Sequence, residues 1–355
     1  MRATVSILAA GLTCPAGKNF ETAIAAYSRG ERFVEKDRNL VMADGRPPTL
    51  APVYPLTEER DYVERLRKLL CSALDDCLEQ LAQSGQEKTG YAMLLLLPYW
   101  MEGGPVFASL KAKLNEVALP QVKSVAVLFG GQAESLQLVG SYGPEAVRRT
   151  GKTVLVAVVD SFIHSDMLDS LAYHGELLTR DNPYGMVPGE AAAVFALGSE
   201  NSSRLGRIAR LSTMEEAESP IDPERGLMGR ALASCYAALL EGDFLPDRFI
   251  VDLNGDRVRA EEFGYAITTN AARMADLSDS AEIPSLQLGD LGAASGLVMT
   301  ALALGSTPQT PAGKAGPEGG EFRYSLLSAS SRDGLRAATI VESVQRDRET
   351  GRIDA

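Results

Sequence analysis

Three apolar stretches of this chain each end in a short turn that contains glycine and polar side chains. The turns are FGGQAES at 129–135, VDLNGDR at 251–257 and LQLGDLGAASG at 286–296. Ligands and catalytic residues of α/β proteins gather at the carboxyl ends of strands, so these turns are the first candidates for a site. Glycines that simply permit a tight strand-to-helix turn give the same pattern, and that alternative stays open at this point.

The first turn places Gln132 where a strand passes into a helix, a position at which many enzymes carry a nucleophile. A carboxamide cannot form an acyl intermediate. A serine-hydrolase site is not indicated, because the chain has no GxSxG and Ser135 lies one turn into the predicted helix. His164 and His174 follow the predicted strand at 154–160 and could belong to a Ser-His-Asp set, but loop or surface positions explain them as well.

The third turn suggests a nucleotide-binding loop, but only weakly. Its glycines, Gly289, Gly292 and Gly296, are spaced GxxGxxxG, which is neither GxGxxG nor GxxxxGK. Small residues that allow a helix to pack closely on a sheet account for the spacing equally well.

Apolar strands and amphipathic helices alternate along the chain, which favours α/β layers with helices outside the sheets. The clearest helix covers 60–83, where apolar residues recur at three- and four-residue steps. The other predicted helices cover 19–30, 105–115, 223–242 and 259–274, and the predicted strands cover 3–11, 92–97, 124–129, 154–160, 188–197, 206–214, 247–255, 322–330 and 334–343. Segment 285–305 is predicted to form a strand, a turn and a helix, and the low-complexity segment 306–321 a mobile loop.

The composition excludes several classes of function. The chain has 355 residues and a formal net charge of −12, which argues against nucleic acid and anionic membranes as partners. No apolar run approaches the roughly 20 residues of a membrane span. The four cysteines form no CxxC, so neither a zinc site nor a redox pair is indicated, and reduced thiols in the cytoplasm fit best.

Taken together, the three turns resemble those of the β-ketoacyl synthases of the thiolase superfamily, over nearly the whole chain. Further segments resemble the family in order and spacing: GLTCPAGKNFETAIAAYSRGE at 11–31, VAVVDSF at 156–162 and RDNPYGMVPGEAAAVFAL at 180–197. The resemblance implies a thiolase fold, with two similar halves that contain mixed sheets in a five-layer αβαβα arrangement. It places these halves at 1–204 and 205–355, within one compact unit, and implies a homodimer.

The same resemblance identifies the positions of the family's catalytic groups. Gln132 takes the place of the nucleophilic cysteine, and Asn254 and Asp290 take the places of the two histidines. The lysine that precedes the second histidine falls at Ser285, and the glycine-rich phenylalanine loop falls on SASS at 328–331.

These substitutions remove what decarboxylative condensation needs. A carboxamide at 132 cannot carry the acyl chain as a thioester. Asn254 can donate one hydrogen bond but cannot exchange a proton, and an ionised Asp290 would repel a malonyl carboxylate or an enolate. The resemblance therefore implies a pseudoenzyme with a degenerate site, without cofactor or metal.

Three functions follow from this interpretation. The first is a silent binding scaffold for loading a type VI secretion effector, with an adaptor, spike or effector protein as partner. The short thiolase-like proteins found beside type VI secretion genes are similar in DLNGDRVRAEEFGYA at 252–266 and GDLGAASG at 289–296. The second is a chain-length-factor-like subunit, with a ketosynthase or acyl carrier protein as partner. The third is an unrecognised small-ligand or acyl-transfer activity in the remodelled pocket.

A structural explanation of the substitutions stays open beside these functions. Gln132 could hydrogen-bond to Asn254 or Asp290 and fill the old pocket. Asp290 stands near the start of the predicted helix, where backbone N–H groups favour an anion. The three residues would then serve stability alone.

Overall fold

The computed structural model describes residues 5–37, 42, 45–54, 56–85, 90–116, 121–199, 205–216, 229–242, 244–305 and 321–344. The elements are, in chain order, β1 (Val5–Thr13), α1 (Phe20–Ser28), β2 (Glu35–Lys36), β3 (Thr49–Leu50), α2 (Tyr62–Gln83), β4 (Tyr91–Pro98), α3 (Pro105–Glu116), β5 (Val122–Gly130), α4 (Gln132–Gln137), α5 (Gly143–Thr150), β6 (Val154–Ser161), α6 (Ser165–Tyr173), β7 (Glu190–Ser199), β8 (Gly206–Glu215), α7 (Arg230–Leu239), β9 (Arg248–Val251), α8 (Arg257–Thr269), α9 (Ala271–Ser278), α10 (Ser285–Leu288), α11 (Ser295–Leu304), β10 (Tyr324–Ser330) and β11 (Leu335–Ser343). Most predicted strands and helices are thus confirmed to within a few residues.

One predicted strand is wrong, because residues 285–288 form a helical turn. The Leu288 N–H donates to the Pro284 carbonyl at 2.9 Å, and Gly289, with a φ of 69°, ends the turn. Short apolar runs do not distinguish a buried strand from a buried helical turn, which is why the sequence pattern misled here.

The predicted helix at 259–274 is divided into α8 and α9 at Asn270. The Asn270 side chain donates to the carbonyls of Ala266 at 2.9 Å and Ala233 at 3.0 Å, which caps the end of α8. The predicted helix at 223–242 is described from Arg230 onward. The predicted loop at 306–320 lies outside the described residues.

Nine strands join in the order β5-β4-β6-β7-β1-β8-β11-β10-β9. In the first five, β4 is parallel to β5 and β6, and β7 is antiparallel to β6 and β1. In the last four, β10 is parallel to β9, and β11 is antiparallel to β10 and β8. The two groups meet at a single residue pair, Ile7 with Gly206, so two similar mixed sheets result, as predicted.

The alternation of side chains along the strands sorts the core into layers. In β6, Val156 faces a central core that contains α4 and α11, whereas Leu155 faces an outer core formed with α2. In β9, Ile250 faces the same central core, whereas Phe249 faces a second outer core formed with α7. The order is therefore helix, sheet, helix, sheet, helix, which is the five-layer arrangement that the sequence predicts.

The central layer contains helices with almost no contact with solvent. Every residue of α11 except Ser295 is buried, as expected for a helix that is apolar on all sides. A Cβ atom added to Gly296 would lie 2.1 Å from Ser135 Oγ and 2.7 Å from the Gln132 carbonyl oxygen, so α11 touches α4 through a bare backbone. Among the described helices, none combines the length and apolar character needed to cross a membrane.

We expect Gly296→Ala to lower the free energy of unfolding by about 1–3 kcal/mol, because the added methyl group forces α4 and α11 apart. Gly264→Ala is the matched control, since Gly264 is also helical but has no atom within 4 Å of the added Cβ. That control should raise stability by roughly 0.5–1 kcal/mol through helix propensity. Urea denaturation measures both, and equal effects would contradict the close contact.

Candidate functional site

The first turn is a sharp elbow between β5 and α4, with Gln132 as the first residue of the helix. Two glycines make this elbow possible. A Cβ atom at Gly130 would lie 2.5 Å from the Glu134 Cβ, and one at Gly131 would lie 2.8 Å from Ser331 Oγ. The elbow therefore places the side chain of Gln132 at the start of α4, and the two glycines before it allow Glu134 and Ser331 to pack closely.

Glu134 and Ser331 hold the elbow in place. The Glu134 carboxylate accepts hydrogen bonds from the Gly131 N–H at 2.8 Å, from the Ser331 hydroxyl at 2.5 Å and from the Tyr99 hydroxyl at 2.6 Å. Ser331 Oγ in turn accepts the Ala133 N–H at 2.9 Å. The SASS segment thus lies against the elbow, and its last serine accepts a hydrogen bond from a backbone N–H at the start of α4.

The second and third turns meet through a pair of side chains. Asn254 Nδ2 donates to Asp290 Oδ2 at 2.5 Å, and Asn254 Oδ1 accepts the Asp256 N–H at 3.0 Å. Asp290 Oδ1 accepts the Gly292 N–H at 2.8 Å. Both side chains are therefore fixed in orientation, and Asp290 uses a backbone N–H just before α11, as the sequence suggests.

A cavity of about 250 Å³ lies where the three turns meet, and it brings Gln132, Asn254 and Asp290 together. Gln132 is only 7% exposed. Within the described part of the chain its carboxamide makes no hydrogen bond, so the predicted bond to Asn254 or Asp290 is wrong. Those two residues satisfy each other, and the Gln132 amide faces the cavity instead.

Ser285 does not line this cavity. Its hydroxyl donates to the Leu253 carbonyl, and its side chain lines a separate narrow cleft beside Asn254 and Asp290. Ser285 therefore binds the backbone of the second turn and lies outside the lining of the main cavity.

Three guanidinium groups line the cavity, and each has a carboxylate partner. The pairs are Arg259 with Asp252, Arg336 with Glu262, and Arg332 with Glu176. Arg336 and Glu262 are almost fully buried, and Arg336 Nη1 also donates to the Ser331 carbonyl at 2.8 Å. Among the described residues, every guanidinium group in the wall of the cavity is consequently paired with a carboxylate.

Two buried aspartates stand at strand ends beside the cavity. Burial raises the pKa of Asp252 to about 6, although the Arg259 guanidinium acts in the opposite direction. Burial also raises the pKa of Asp160 to about 7, although its carboxylate accepts the N–H groups of Ala293 and Ser161, both at 2.8 Å. The nearby negative charge of Asp290 adds to both increases.

The two histidines do not belong to this site. His164 precedes α6 and lies against Tyr62, with ring centroids 5.1 Å apart, and His174 is exposed at the other end of α6. Neither lines the cavity, so the loop and surface positions considered from the sequence are the observed ones.

Sequence analysis missed four residues that shape the site, namely Glu134, Asp160, Arg259 and Arg336. Glu134 could have been recognised from the sequence. It stands three residues after Gly131, the residue before α4, which is the position of a capping-box glutamate. Asp160 and Arg336 act through contacts with residues far away in the chain, which no local pattern reveals. Arg259 pairs with Asp252 across the second turn, and no sequence motif indicates that pair.

Comparison with family models and with curated proteins gives no match. Solved structures match over almost the whole chain. A type II PKS acyl-carrier protein in complex with its ketosynthase bound to the hexaketide (AntDE:AntF) is 13% identical, with 97% of this chain and 100% of that chain covered and a TM-score of 0.74. The ishigamide ketosynthase/chain length factor is 16% identical, with 97% and 100% covered and a TM-score of 0.70. A ketosynthase in complex with its chain length factor from Xenorhabdus doucetiae is 14% identical, with 96% and 98% covered and a TM-score of 0.68.

At these identities the matches show the fold alone. The chain has the mixed α/β, thiolase-like fold of the ketosynthases, as its sequence predicts. The geometry of the cavity, rather than the matches, has to support any statement about activity.

We expect the loss in free energy of unfolding caused by Asp160→Asn to depend on pH. Folding raises the pKa of Asp160 from 3.8 to about 7, so its stabilising contribution is fully present below pH 3.8 and is lost as the pH rises through 7. Asparagine offers one acceptor for two N–H groups, which should cost about 1–3 kcal/mol at pH 5.5. By pH 8.5 that difference should shrink by about 1–2 kcal/mol, because the parent then buries a charge.

Urea unfolding of parent and variant at both pH values measures this difference. Asp279→Asn, at an exposed position after α9, is the control and should show little effect at either pH. A difference that stays constant or widens with pH would contradict the protonation of Asp160 in the folded chain.

Proposed function

We propose that this chain is a ketosynthase-fold protein without condensing activity that serves as the accessory subunit of an active ketosynthase, in the manner of a chain-length factor. One observation carries the proposal. At the elbow, where the family's nucleophile stands, the cavity receives the carboxamide of Gln132. Asn254 and Asp290, in the places of the two histidines, are bonded to each other.

The four cysteine thiols of the chain do not provide a nucleophile in the cavity. None of the four cysteines, all of which are among the described residues, lines the cavity. Burial raises the pKa of Cys14 to about 12 and that of Cys235 to about 11, and it also raises the pKa of Cys71 and Cys77. Protonated, buried thiols are poor nucleophiles, which supports a non-condensing role.

The edge strand β5 offers a surface for a partner subunit. It stands at one end of the sheet and pairs with β4 on one side; no other described strand pairs with it. Val125 is 42% exposed, and a groove of about 290 Å³ lies between β5 and α3. Apolar residues that include Phe107 and Val127 line this groove, together with Lys111, Asn115, Lys123 and Ser124. Unpaired strand edges with apolar side chains readily add a strand from another chain.

The choice of a ketosynthase as the partner rests on the neighbours in fold. Two of them are described as a ketosynthase with its chain length factor, and the third as an acyl-carrier protein with its ketosynthase. A secretion adaptor, spike or effector is the other partner class, and no described feature of the chain favours it. A second copy of this chain would use the same edge.

We expect the purified chain to form no acyl adduct when it is incubated with malonyl- or acyl-thioesters, because its cavity offers no thiolate. Intact-mass spectrometry measures this directly. Gln132→Cys serves as the matched variant, since it restores a thiol at the elbow and shows whether the assay detects capture there. A stable acyl adduct on the parent chain would refute the non-condensing role.

We expect Val125→Asp to release the partner, because a charge on the strand edge opposes strand addition. The tagged chain is purified from its source cells, and bound proteins are identified by mass spectrometry. The parent should retain a ketosynthase, and Val125→Asp should weaken that association by about tenfold or more, or ~1.4 kcal/mol. Met214→Asp is the control, because Met214 is also 42% exposed and lies on β8, away from the edge.

Two results would contradict this part of the proposal. Recovery of spike or adaptor proteins without a ketosynthase would replace the chain-length-factor role by the secretion role. Equal loss of the partner from both variants would show that the edge of β5 is not the surface it binds.

A further inference from the structure

Gln132 lines the cavity, and its carboxamide has no hydrogen-bond partner among the described residues. The residue is 93% buried. Asn254, the other carboxamide in the cavity, has partners for both its oxygen and its nitrogen. The amide atoms of Gln132 reach the cavity, because among the described residues the one fully enclosed side-chain polar atom without a partner is Ser6 Oγ. A group in the cavity that both donates and accepts can therefore pair with Gln132.

The charges around the cavity are unequal. Three guanidinium groups face five carboxylates, four of which line the cavity while the fifth, on Asp252, is paired with Arg259. The carboxylates of Asp256 and Asp290 accept hydrogen bonds from neutral N–H groups only, within the described residues. The cavity therefore carries an excess of negative charge, and in a partly buried site this charge is poorly screened.

Size and wall chemistry limit what fits beside these groups. A volume of about 250 Å³ is slightly below the range of about 300–1,000 Å³ typical of pockets for drug-sized ligands, so a smaller molecule suits it. Phe162, Met186 and Val258 contribute apolar wall, against which methylene groups can pack. The space suits a short molecule with a polar group at each end and carbon atoms between them.

We propose that this cavity binds a small organic cation that also carries a carboxamide. The carboxamide of the ligand pairs with that of Gln132 through one donated and one accepted hydrogen bond. Its ammonium group lies near Asp290, where the excess negative charge favours it. The same charge disfavours malonate-like anions, so the remodelled site selects against the substrate class of a condensing enzyme. This inference does not depend on the accessory-subunit role.

The test uses the full chain and three probes in isothermal titration calorimetry. β-Alaninamide carries both the ammonium and the carboxamide. Propionamide lacks the ammonium, and malonamate has a carboxylate in place of the aminomethyl group. We expect β-alaninamide to bind at least about tenfold more tightly than propionamide, as a charge-assisted hydrogen bond predicts, and malonamate not to bind measurably.

Variants connect binding to the two groups. Gln132→Leu and Asp290→Asn should each lower the affinity for β-alaninamide by about tenfold or more, since each removes a partner of the ligand. Gln137→Leu is the matched control, because Gln137 ends the same helix but does not line the cavity, and it should bind like the parent. If Gln132→Leu does not fold, Gln132→Met takes its place, because methionine keeps the length of the side chain. If neither Gln132 variant folds, the result for Asp290→Asn decides.

Three results would overturn the proposal. One is no binding of β-alaninamide to the parent, in which case water alone satisfies Gln132. Another is equal affinity for the cationic and anionic amides, which would show that the charge excess has no influence. The third is an equal loss of binding in the Gln137 control, which would place the ligand elsewhere.

Discussion

The close contact between α4 and α11 is the constraint on which the rest of the structure depends. Both helices lie between two sheets, and they touch where Gly296 faces the backbone of Gln132 and the side chain of Ser135. A larger residue at 296 would separate the sheets that these helices hold together. The elbow precedes one helix and the third turn precedes the other, so the same contact that closes the core also brings the two turns to one cavity.

Carboxylates that accept backbone N–H groups fix the walls of that cavity. Asp160, at the end of β6, accepts the Ala293 N–H, and Asp252, just after β9, accepts the Ser330 N–H at 2.8 Å. Glu134 performs a similar function at the elbow. The contacts of Asp160 and Asp252 join segments that are far apart in the chain, whereas the Glu134 contact is local. The walls of the cavity are thus held by groups other than Gln132, Asn254 and Asp290, so those three side chains can vary while the fold persists.

The cavity and the edge of β5 are separate features with separate consequences. The edge is a backbone property, since it comes from a strand whose outer hydrogen-bonding groups have no described strand beside them. The cavity is a side-chain property, set by Gln132, Asp290 and the ion pairs around them. The strand edge and the cavity depend on different residues, so the function of each has to be argued separately.

The sequence by itself determined the order of the elements, the glycine elbow after β5 and the absence of a thiol at position 132. These follow from local rules, because the period of apolar residues and the steric needs of a tight turn act within a few residues. Only the tertiary structure decided that Gln132 bonds to neither Asn254 nor Asp290, that Ser285 lies outside the main cavity, and that residues 285–288 form a helical turn. Those outcomes depend on contacts between segments tens to hundreds of residues apart, where packing and the pairing of buried polar groups select one arrangement among several that the local sequence allows.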